Sequence, residues 1–356
     1  TGMVTLPAMI KLKYPKRLAA SVEAVASSGG QIMPPLMGAG AFVMVELTGI
    51  PYNQIILAAL LPAILFFFAV WVGIDFYTQK YNLKPVEQEN LPKKSIVLIT
   101  SFFFLIPFST LLIFMFAGFT PQYSASLAIL TSFLLLFFNL NNGLDFKLGL
   151  DRFINACASS GKQIALIGSI ILCASIIIGV LSITGLGVKL TSLIISVSGN
   201  NVWPALFLTG LACLILGMEV PTTAAYVICV SVAGPALVDM GLGLLEVHLF
   251  VFWFALLSTI TPPVCGTVFI AAGMVNENWL KVSVTSMSLG IGLYFIPLAM
   301  IANKSILDLN STVLLSLLAF MKIAVSLVML SFSIIGNYTL FLRIGAFLLG
   351  LFIMFF

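Results

Sequence analysis

Charged side chains are scarce in this sequence. Asp, Glu, Lys and Arg make up 8% of its 356 residues, where a soluble domain carries roughly 25%. Hydrophobic residues account for 61%, and this composition excludes an ordinary water-soluble domain. The formal net charge of +4 comes from basic residues in short stretches between apolar runs, which is typical of membrane loops. It therefore does not indicate a nucleic-acid partner.

Groups that common enzymes require are missing as well. The chain has a single histidine, His248, and neither an HExxH motif nor paired catalytic aspartates, so metallopeptidase and aspartyl-protease mechanisms lack their parts. No base is evident near Ser27 or Ser28, as a serine hydrolase would need. The phosphate-binding pattern G-x-x-x-x-G-K-S/T is absent too, which disfavours ATP-driven transport. We therefore expect no enzyme and no cofactor beyond a coupling ion.

Apolar runs long enough to cross a bilayer recur along the chain. Five of them are Ile55–Ile74, Ser95–Phe119, Ser124–Leu140, Gln163–Val188 and Val282–Ala302. A helix needs about 20 apolar residues to span the hydrocarbon core, and the alternation typical of membrane β-strands is absent. The sequence therefore predicts an all-α polytopic membrane protein with about ten passes or half-passes.

A double proline interrupts the apolar pattern twice. "PPLMGAGAF" at Pro34–Phe42 matches "PPVCGTVF" at Pro262–Phe269, and upstream "TLPAM" around Pro7 matches "AGPAL" around Pro235 at the same separation. Proline lacks a backbone donor and breaks a helix, so we predict two discontinuous helices. Several matches in register indicate an internal repeat.

The charges of the two matching turns differ in sign. "KLKYPKR" at Lys11–Arg17 is basic, whereas the second turn carries Asp239 and Glu246. The positive-inside rule then places the first turn in the cytoplasm and the second outside. Interrupted segments at matching positions of inverted repeats mark the midplane site of a secondary transporter, and we predict that fold here.

"ILGMEVPTTAAY" at Ile215–Tyr226 predicts the tip of a re-entrant hairpin. Its apolar arms, Val202–Met218 and Val220–Val238, have only Glu219 between them, which does not suit two full spans. An acidic side chain deep in a membrane costs a few kcal/mol. Two hypotheses for Glu219 stay open: a role in cation binding, proton coupling or an ion pair, or simple solvation in a water-filled vestibule.

Residue types at the tip suit a turn between two half-helices. Gly217 permits a tight turn, Pro221 suits the first turn of the next half-helix, and Thr222 or Thr223 can cap its amides. By the offset of the repeat, the corresponding part of the first hairpin lies before Thr1. We therefore expect the first tip and inner arm upstream of this sequence.

The candidate ion and substrate ligands are the polar and backbone groups at the two breaks and the tip. Hydroxyl and carbonyl oxygens suit a small hard cation such as Na⁺, and half-helix ends offer carbonyls to cations and N–H groups to anions. The candidates are Ser27, Ser28, Gly29, Gly30, Gln31, Gly217, Glu219, Thr222, Thr223, Ser258, Thr259 and Thr261, with helix breaks at Pro34, Pro35, Pro221, Pro262 and Pro263. The alternative is that these prolines only kink structural helices.

Four stretches resemble the large membrane subunit of tripartite ATP-independent periplasmic (TRAP) transporters, in particular fused permeases that work with TAXI-type binding proteins. They read "EAVASSGGQIMPPLMGAGAFVMVELTGIPY", "SITGLGVKLTSLI", "LGMEVPTTAAYV" and "HLFVFWFALLSTITPPVCGTVFIAAG". The resemblance implies an elevator-type, sodium-driven importer of a small organic acid (carboxylate). It also implies a TAXI-type periplasmic solute-binding protein as partner, small-subunit helices upstream, and the inner membrane of a bacterium or archaeon.

The same resemblance places ion-binding groups around Ser28–Gln31, Gly217–Thr223 and Ser258–Thr261. The family usually has a glycine where Glu219 stands. Three other readings stay open: an elevator-type carboxylate carrier without a binding protein, an intramembrane hydrolase, and a structural membrane subunit. His248, beside the acidic outer turn, is interpreted as an interfacial residue.

Four parts are predicted along the chain. Residues 1–44 form the outer arm of the first re-entrant hairpin plus a discontinuous helix, and residues 45–162 form scaffold-like transmembrane helices and a cytoplasmic amphipathic segment. Residues 163–276 form the second repeat, with a re-entrant hairpin at about 202–238 and a discontinuous helix at about 247–275. Residues 277–356 form C-terminal transmembrane helices.

Overall fold

The computed structural model describes residues 2–83, 94–139, 143–199, 201–218, 220–263 and 265–356. Over these residues the chain is helical apart from two paired two-residue strands, β1 (Phe138–Asn139) and β2 (Gly143–Leu144). Four helical segments in the described part are long and apolar enough to cross a membrane: Tyr52–Lys80, Thr222–Asp239, Trp279–Ala302 and Val313–Ile335. The predicted all-α polytopic class is confirmed.

The described residues form a series of α-helices. In chain order they are α1 (Gly2–Lys11), α2 (Lys16–Gly29), α3 (Gly38–Thr48), α4 (Tyr52–Lys80), α5 (Lys94–Phe116), α6 (Pro121–Leu136), α7 (Phe146–Thr184), α8 (Leu186–Ser198), α9 (Val202–Leu216), α10 (Thr222–Asp239), α11 (Leu244–Leu257), α12 (Gly266–Val275), α13 (Trp279–Leu289), α14 (Ile291–Ala302), α15 (Val313–Ile335) and α16 (Leu340–Phe355). A 3₁₀ helix at Lys304–Leu307 lies between α14 and α15.

The chain divides into two compact units. The smaller unit, Pro85–Cys173, contains α5 and α6, which pack against each other. In this unit Arg152 of α7 stabilises the end of α6. Its guanidinium Nη1 donates to the carbonyl oxygens of Leu136 at 3.1 Å and Phe138 at 3.2 Å. The larger unit, Thr1–Lys84 with Ala174–Phe356, holds every candidate site residue, so it is the unit that concerns function.

The sequence repeat is also a repeat of helices within the larger unit. The first break, Gly30–Met37, separates α2 from α3, and the second break, Ser258–Cys265, separates α11 from α12. Both breaks are eight residues long, and each position in the second lies 228 residues after its counterpart in the first. Because α2 and α3, and likewise α11 and α12, are separate helices, the double prolines lie in true interruptions and not in mild kinks. The two prolines of each break are joined by a cis peptide bond.

The two helices that lead into the breaks lie among other helices of the larger unit. Every residue of α11 from Val247 to Leu257 is buried, as expected for a helix that is apolar on all sides. Its Trp253 meets Phe66 of α4 edge to face, with 6.3 Å between ring centroids. The helix α2 packs against α1, α4, α12 and α13. The helices that lead into the two breaks are therefore packed within the larger unit, and the breaks themselves contain both buried residues, such as Pro34 and Ile260, and exposed ones, such as Leu36 and Pro263.

Candidate functional site

The two breaks meet through a pair of hydroxyl groups. Ser28 Oγ and Thr259 Oγ1 lie 3.2 Å apart, although the two residues are far apart in sequence. The Ser28 hydroxyl also lies 3.2 Å from the carbonyl oxygen of Ala24, and Thr259 Oγ1 lies 2.7 Å from Leu256 O, so one hydroxyl donates to the other while the second donates to its own helix carbonyl. The structure therefore brings Ser28 and Thr259 together, as a shared site at the two breaks requires.

Hydroxyl side chains satisfy the carbonyls at the end of α11. The last carbonyls of a helix have no intrahelical partner, and here Thr261 Oγ1 donates to Leu257 O at 2.7 Å. Thr261 Oγ1 also lies 2.6 Å from the hydroxyl of Tyr294 on α14. The predicted residue Thr261 is thus tied to α11 and to a partner on another helix.

Further hydroxyl groups fix the backbone of the second break itself. Thr267, in the first turn of α12, donates to Thr259 O at 2.7 Å, and Ser283 of α13 donates to Ile260 O at 3.1 Å. Each bond supplies a donor for a carbonyl that lies outside regular helix. The second break is therefore a polar structure whose carbonyl and hydroxyl oxygens are held in defined positions.

The first break is supported mainly by close packing. A Cβ added to Gly29 would lie 2.7 Å from Phe67 and 2.8 Å from Phe66, so only glycine lets α2 approach the aromatic rings of α4 this closely. The Tyr52 hydroxyl donates to Pro35 O. Both contacts come from α4, so this helix positions the first break.

The remaining candidates of the first break have local hydrogen bonds. Ser27 is exposed, and its hydroxyl donates to Glu23 O at 2.7 Å. Gly30 is exposed and Gln31 half-buried, with the Gln31 N–H donating to Ser28 O at 3.2 Å. Within the described part of the chain, neither Ser27 nor Gln31 has a hydrogen bond to the second break. Their predicted ligand role stays a prediction.

The hairpin tip adjoins the second break. The helix α9 has 15 residues, about 22 Å at 1.5 Å per residue, which is too short for a hydrocarbon core of about 30 Å. A Cβ on Gly217 would lie 3.0 Å from Ser258 Oγ and 2.9 Å from Cys213 O. Glycine at this position thus allows the tip to touch Ser258, whose hydroxyl donates to Ala255 O at 2.7 Å. Glu219 lies outside the described residues.

The start of α10 differs from the predicted capping arrangement. The sequence predicts Pro221 in the first turn of this helix. In the structure the helix begins at Thr222, and Pro221 is the N-cap residue just before it, with an extended ψ of 137°. A proline side chain cannot accept a hydrogen bond, and the N-cap residue makes no side-chain cap here. The first helical bond runs from Ala225 N to Pro221 O at 2.9 Å, which leaves the preceding amides, including that of Thr223, at the positive helix end.

Two polar residues of α10 and α11 bond to each other, and the sequence pattern does not predict this pairing. The sequence predicts an interfacial His248; in the structure its side chain is buried within the protein, with Nδ1 2.6 Å from the hydroxyl of the buried Tyr226. This bond joins α11 to α10. The imidazole of His248 is covered because α11 packs against α9, α10 and α14. A buried polar ring needs a hydrogen-bond partner inside the protein.

Comparison of the two repeats does not identify two residues that support the second break, Tyr294 and Thr267. The first-repeat counterparts of Tyr294 and Thr267 are Phe66 and Ala39, and neither can donate a hydrogen bond from its side chain. A search for matching polar residues in both halves therefore misses Tyr294 and Thr267. The usable signal was the hydroxyl of Thr267 directly after the break.

The donor set consists of oxygen atoms of hydroxyl and backbone groups. Among the described residues no group of three or more His, Cys, Asp or Glu side chains is placed to hold a metal ion. Oxygen atoms of this kind are the ligands that alkali and other hard cations prefer.

The comparisons with known proteins concern nearly the whole chain. A family described as "Tripartite ATP-independent periplasmic transporter, DctM component" matches residues 1–338. The matched range includes both breaks and the hairpin between α9 and α10. No match was found among the curated proteins.

Proposed function

This chain belongs to the DctM family, the large membrane component of TRAP transporters, and we propose that it imports a small organic acid with sodium as the coupling ion. Membership makes it a multi-pass membrane protein of a secondary transporter. The proposal adds the ion, the carboxylate substrate, a TAXI-type periplasmic solute-binding protein that delivers it, an elevator-like movement, and the inner membrane as location.

The contact between Ser28 and Thr259 is the observation that carries the sodium proposal. It places hydroxyl oxygens from both repeats side by side at the C-terminal ends of α2 and α11. Helix C-termini carry partial negative charge, and hydroxyl and carbonyl oxygens suit a small cation. Sodium bound between the breaks would hold the two repeats in one arrangement, and this gives the ion a means to order the substrate site.

Three helix N-termini support an anionic substrate. The helices α3, α10 and α12 begin at Gly38, Thr222 and Gly266, directly after a break or the hairpin tip. Their first amides have no intrahelical acceptor, and the helix dipole favours negative charge at this end. We assign the substrate carboxylate to the N-termini of α10 and α12.

Coupling follows if sodium and substrate favour each other's binding. A tenfold increase in substrate affinity on sodium binding equals about 1.4 kcal/mol of shared free energy, and sodium affinity must rise by the same factor. The C-terminal carbonyls of α2 and α11 and the N-terminal amides of α3 and α12 border the same two breaks. A single ordered conformation of the breaks would therefore favour binding of both sodium and substrate.

Reconstitution tests the proposal. The full-length chain, with the small-subunit helices expected upstream, is placed in liposomes and supplied with substrate captured by its TAXI-type binding protein. We expect uptake only with an inward sodium gradient, and much slower uptake by Thr259→Val. The matched control is Ser316→Ala, which removes a buried hydroxyl bonded to Ser305 O at 2.6 Å away from the breaks.

Two outcomes decide between the alternatives. Uptake that ignores the sodium gradient, with normal protein incorporation, rejects sodium coupling. Sodium-dependent uptake of free substrate at the same rate without the binding protein would instead support a carrier that works alone.

A further inference from the structure

A buried hydroxyl group on α13 has no hydrogen-bond partner in the described part of the chain. It belongs to Ser286, which is fully buried. Buried polar groups are normally hydrogen-bonded, because a buried group without a partner is unfavourable. The Ser286 hydroxyl is therefore a candidate to bind an ion or a water inside the protein.

Two contacts place this part of α13 between the second break and α2. Ser283 Oγ donates to Ile260 O at 3.1 Å. At the end of the helix, a Cβ added to Gly290 would lie 2.7 Å from Ile260 and 3.6 Å from Val25 of α2. Ser286 comes three residues after Ser283 and four before Gly290, so the three positions share one face of α13.

This face adjoins the hydroxyl pair of Ser28 and Thr259. Ile260 directly follows Thr259 in the second break, and Val25 lies three residues before Ser28 in α2. The helix α13 packs against α2 over much of its length. The face that carries Ser286 therefore lies against neighbours of both hydroxyls.

The usual local acceptor for the Ser286 hydroxyl is already used. A serine in a helix commonly donates to the carbonyl four residues earlier, which here is Val282 O. That oxygen has two lone pairs, which serve the backbone bond of α13 and a bond from Ser21 Oγ of α2 at 3.0 Å. Ser286 thus differs from a helical serine whose hydroxyl is bonded to its own backbone.

The first repeat has no hydroxyl at the equivalent position. By the offset of 228 residues between the breaks, the counterpart of Ser286 is Ala58, which is also buried. A methyl group therefore meets the packing requirement at this position in one repeat. The hydroxyl in the other repeat is not explained by packing.

We propose that Ser286 is a third hydroxyl ligand of the cation bound between the two breaks. Hydroxyl oxygens suit a small hard cation such as Na⁺, and this one would connect the ion to a helix outside the breaks. The inference rests on the proposed sodium coupling. It adds α13 to the parts of the protein whose positions depend on the ion.

Sodium-dependent thermal unfolding of the purified full-length chain in detergent tests this role. A ligand that binds only the folded protein raises the unfolding midpoint. Sodium chloride is exchanged for choline chloride at constant ionic strength for wild type, Ser286→Ala and the control Ser331→Ala. Ser331 is also fully buried without a partner in the described part of the chain, but its helix, α15, packs mainly against α4 and α16.

We expect Ser286→Ala to weaken the apparent sodium affinity at least fivefold. Its midpoint in choline should not fall, because the variant loses a hydroxyl that has no partner without the ion. Ser331→Ala should keep the sodium affinity of wild type. Wild-type sodium affinity in Ser286→Ala would overturn the proposal and leave the hydroxyl to a bound water only.

Thr259→Val in the same titration separates this inference from the proposed function. If Thr259→Val loses the sodium response and Ser286→Ala keeps it, the ion site at the breaks stands and Ser286 is not a ligand. If wild type itself shows no sodium response, the sodium proposal fails, and the role of Ser286 fails with it.

Two further variants keep the test valid if Ser286→Ala does not fold. Ser286→Thr keeps a hydroxyl oxygen, whereas Ser286→Cys is close to serine in shape but offers a soft sulfur, which suits other metals than Na⁺. We expect Ser286→Thr to bind sodium within twofold of wild type and Ser286→Cys to bind it at least fivefold more weakly. Equal sodium affinity of these two variants would also overturn the proposal.

Discussion

The two breaks have the same length and the same double proline, yet they are stabilised differently. The second break is held by hydroxyl groups, including those of Thr261, Thr267 and Ser283, that bond to its backbone or to the end of α11. The first break is held by α4, through the close approach of Gly29 to two phenylalanine rings and the bond from Tyr52 to Pro35 O.

This difference shows how a duplicated backbone can have different supports in its two copies. The prolines and the glycine after them determine where each helix stops and restarts, and they are common to both repeats. The supporting side chains are not. We expect the first break to respond to changes of volume and the second to removal of hydroxyl groups.

The largest effect on stability is expected at Gly29. In Gly29→Ala the new Cβ would lie 2.7–2.9 Å from the rings of Phe66 and Phe67, and such overpacking costs about 1–3 kcal/mol. Thermal unfolding in detergent should show a clear fall in the midpoint. The control is Gly30→Ala, whose Cβ would have its nearest neighbour at 3.7 Å and should leave the midpoint unchanged. Equal midpoints for the two variants would show that the first break does not depend on packing against α4.

An intermediate effect is expected at the glycines that follow the prolines. Gly38 has a φ of +61°, where a side chain costs about 1–2 kcal/mol, so Gly38→Ala should lower the free energy of unfolding by about that amount. Its counterpart Gly266 lies outside the left-handed region and has no atom within 4 Å of an added Cβ. Gly266→Ala should be neutral or slightly stabilising. Equal losses would mean that the two breaks share one backbone conformation at this position.

The smallest of these effects is the coupling between the breaks. Ser28→Ala and Thr259→Val remove the two hydroxyls that lie 3.2 Å apart, and a double-mutant cycle should give an interaction of about 1 kcal/mol in unfolding free energy. The control cycle combines Ser28→Ala with Ser316→Ala, and these should be additive. If the effects of Ser28→Ala and Thr259→Val on the unfolding free energy are additive, the direct contact between the two hydroxyls does not stabilise the protein.

Much of the fold could be predicted because its signals are local. Two prolines, each pair followed three residues later by a glycine, predicted both interruptions, and the short apolar arm before Gly217 matches the 15-residue helix α9. The re-entrant hairpin stays a prediction. The contact between the breaks was harder. By the repeat offset the counterpart of Thr259 is Gln31, yet the structure places Ser28 beside Thr259. Side-chain pairing across a pseudo-symmetric interface depends on helix rotation, which the sequence pattern does not specify. The predicted role of Glu219, outside the described residues, stays a prediction.

Sodium affinity tests the central claim most directly. Binding of ²²Na⁺ to the purified full-length chain is measured at equilibrium for wild type, Thr259→Val and Ser316→Ala. If the two breaks form one ion site, Thr259→Val should weaken sodium binding at least tenfold, or about 1.4 kcal/mol, while Ser316→Ala keeps wild-type affinity. A folded Thr259→Val protein that binds sodium as tightly and in the same number as wild type would contradict a shared site at the breaks.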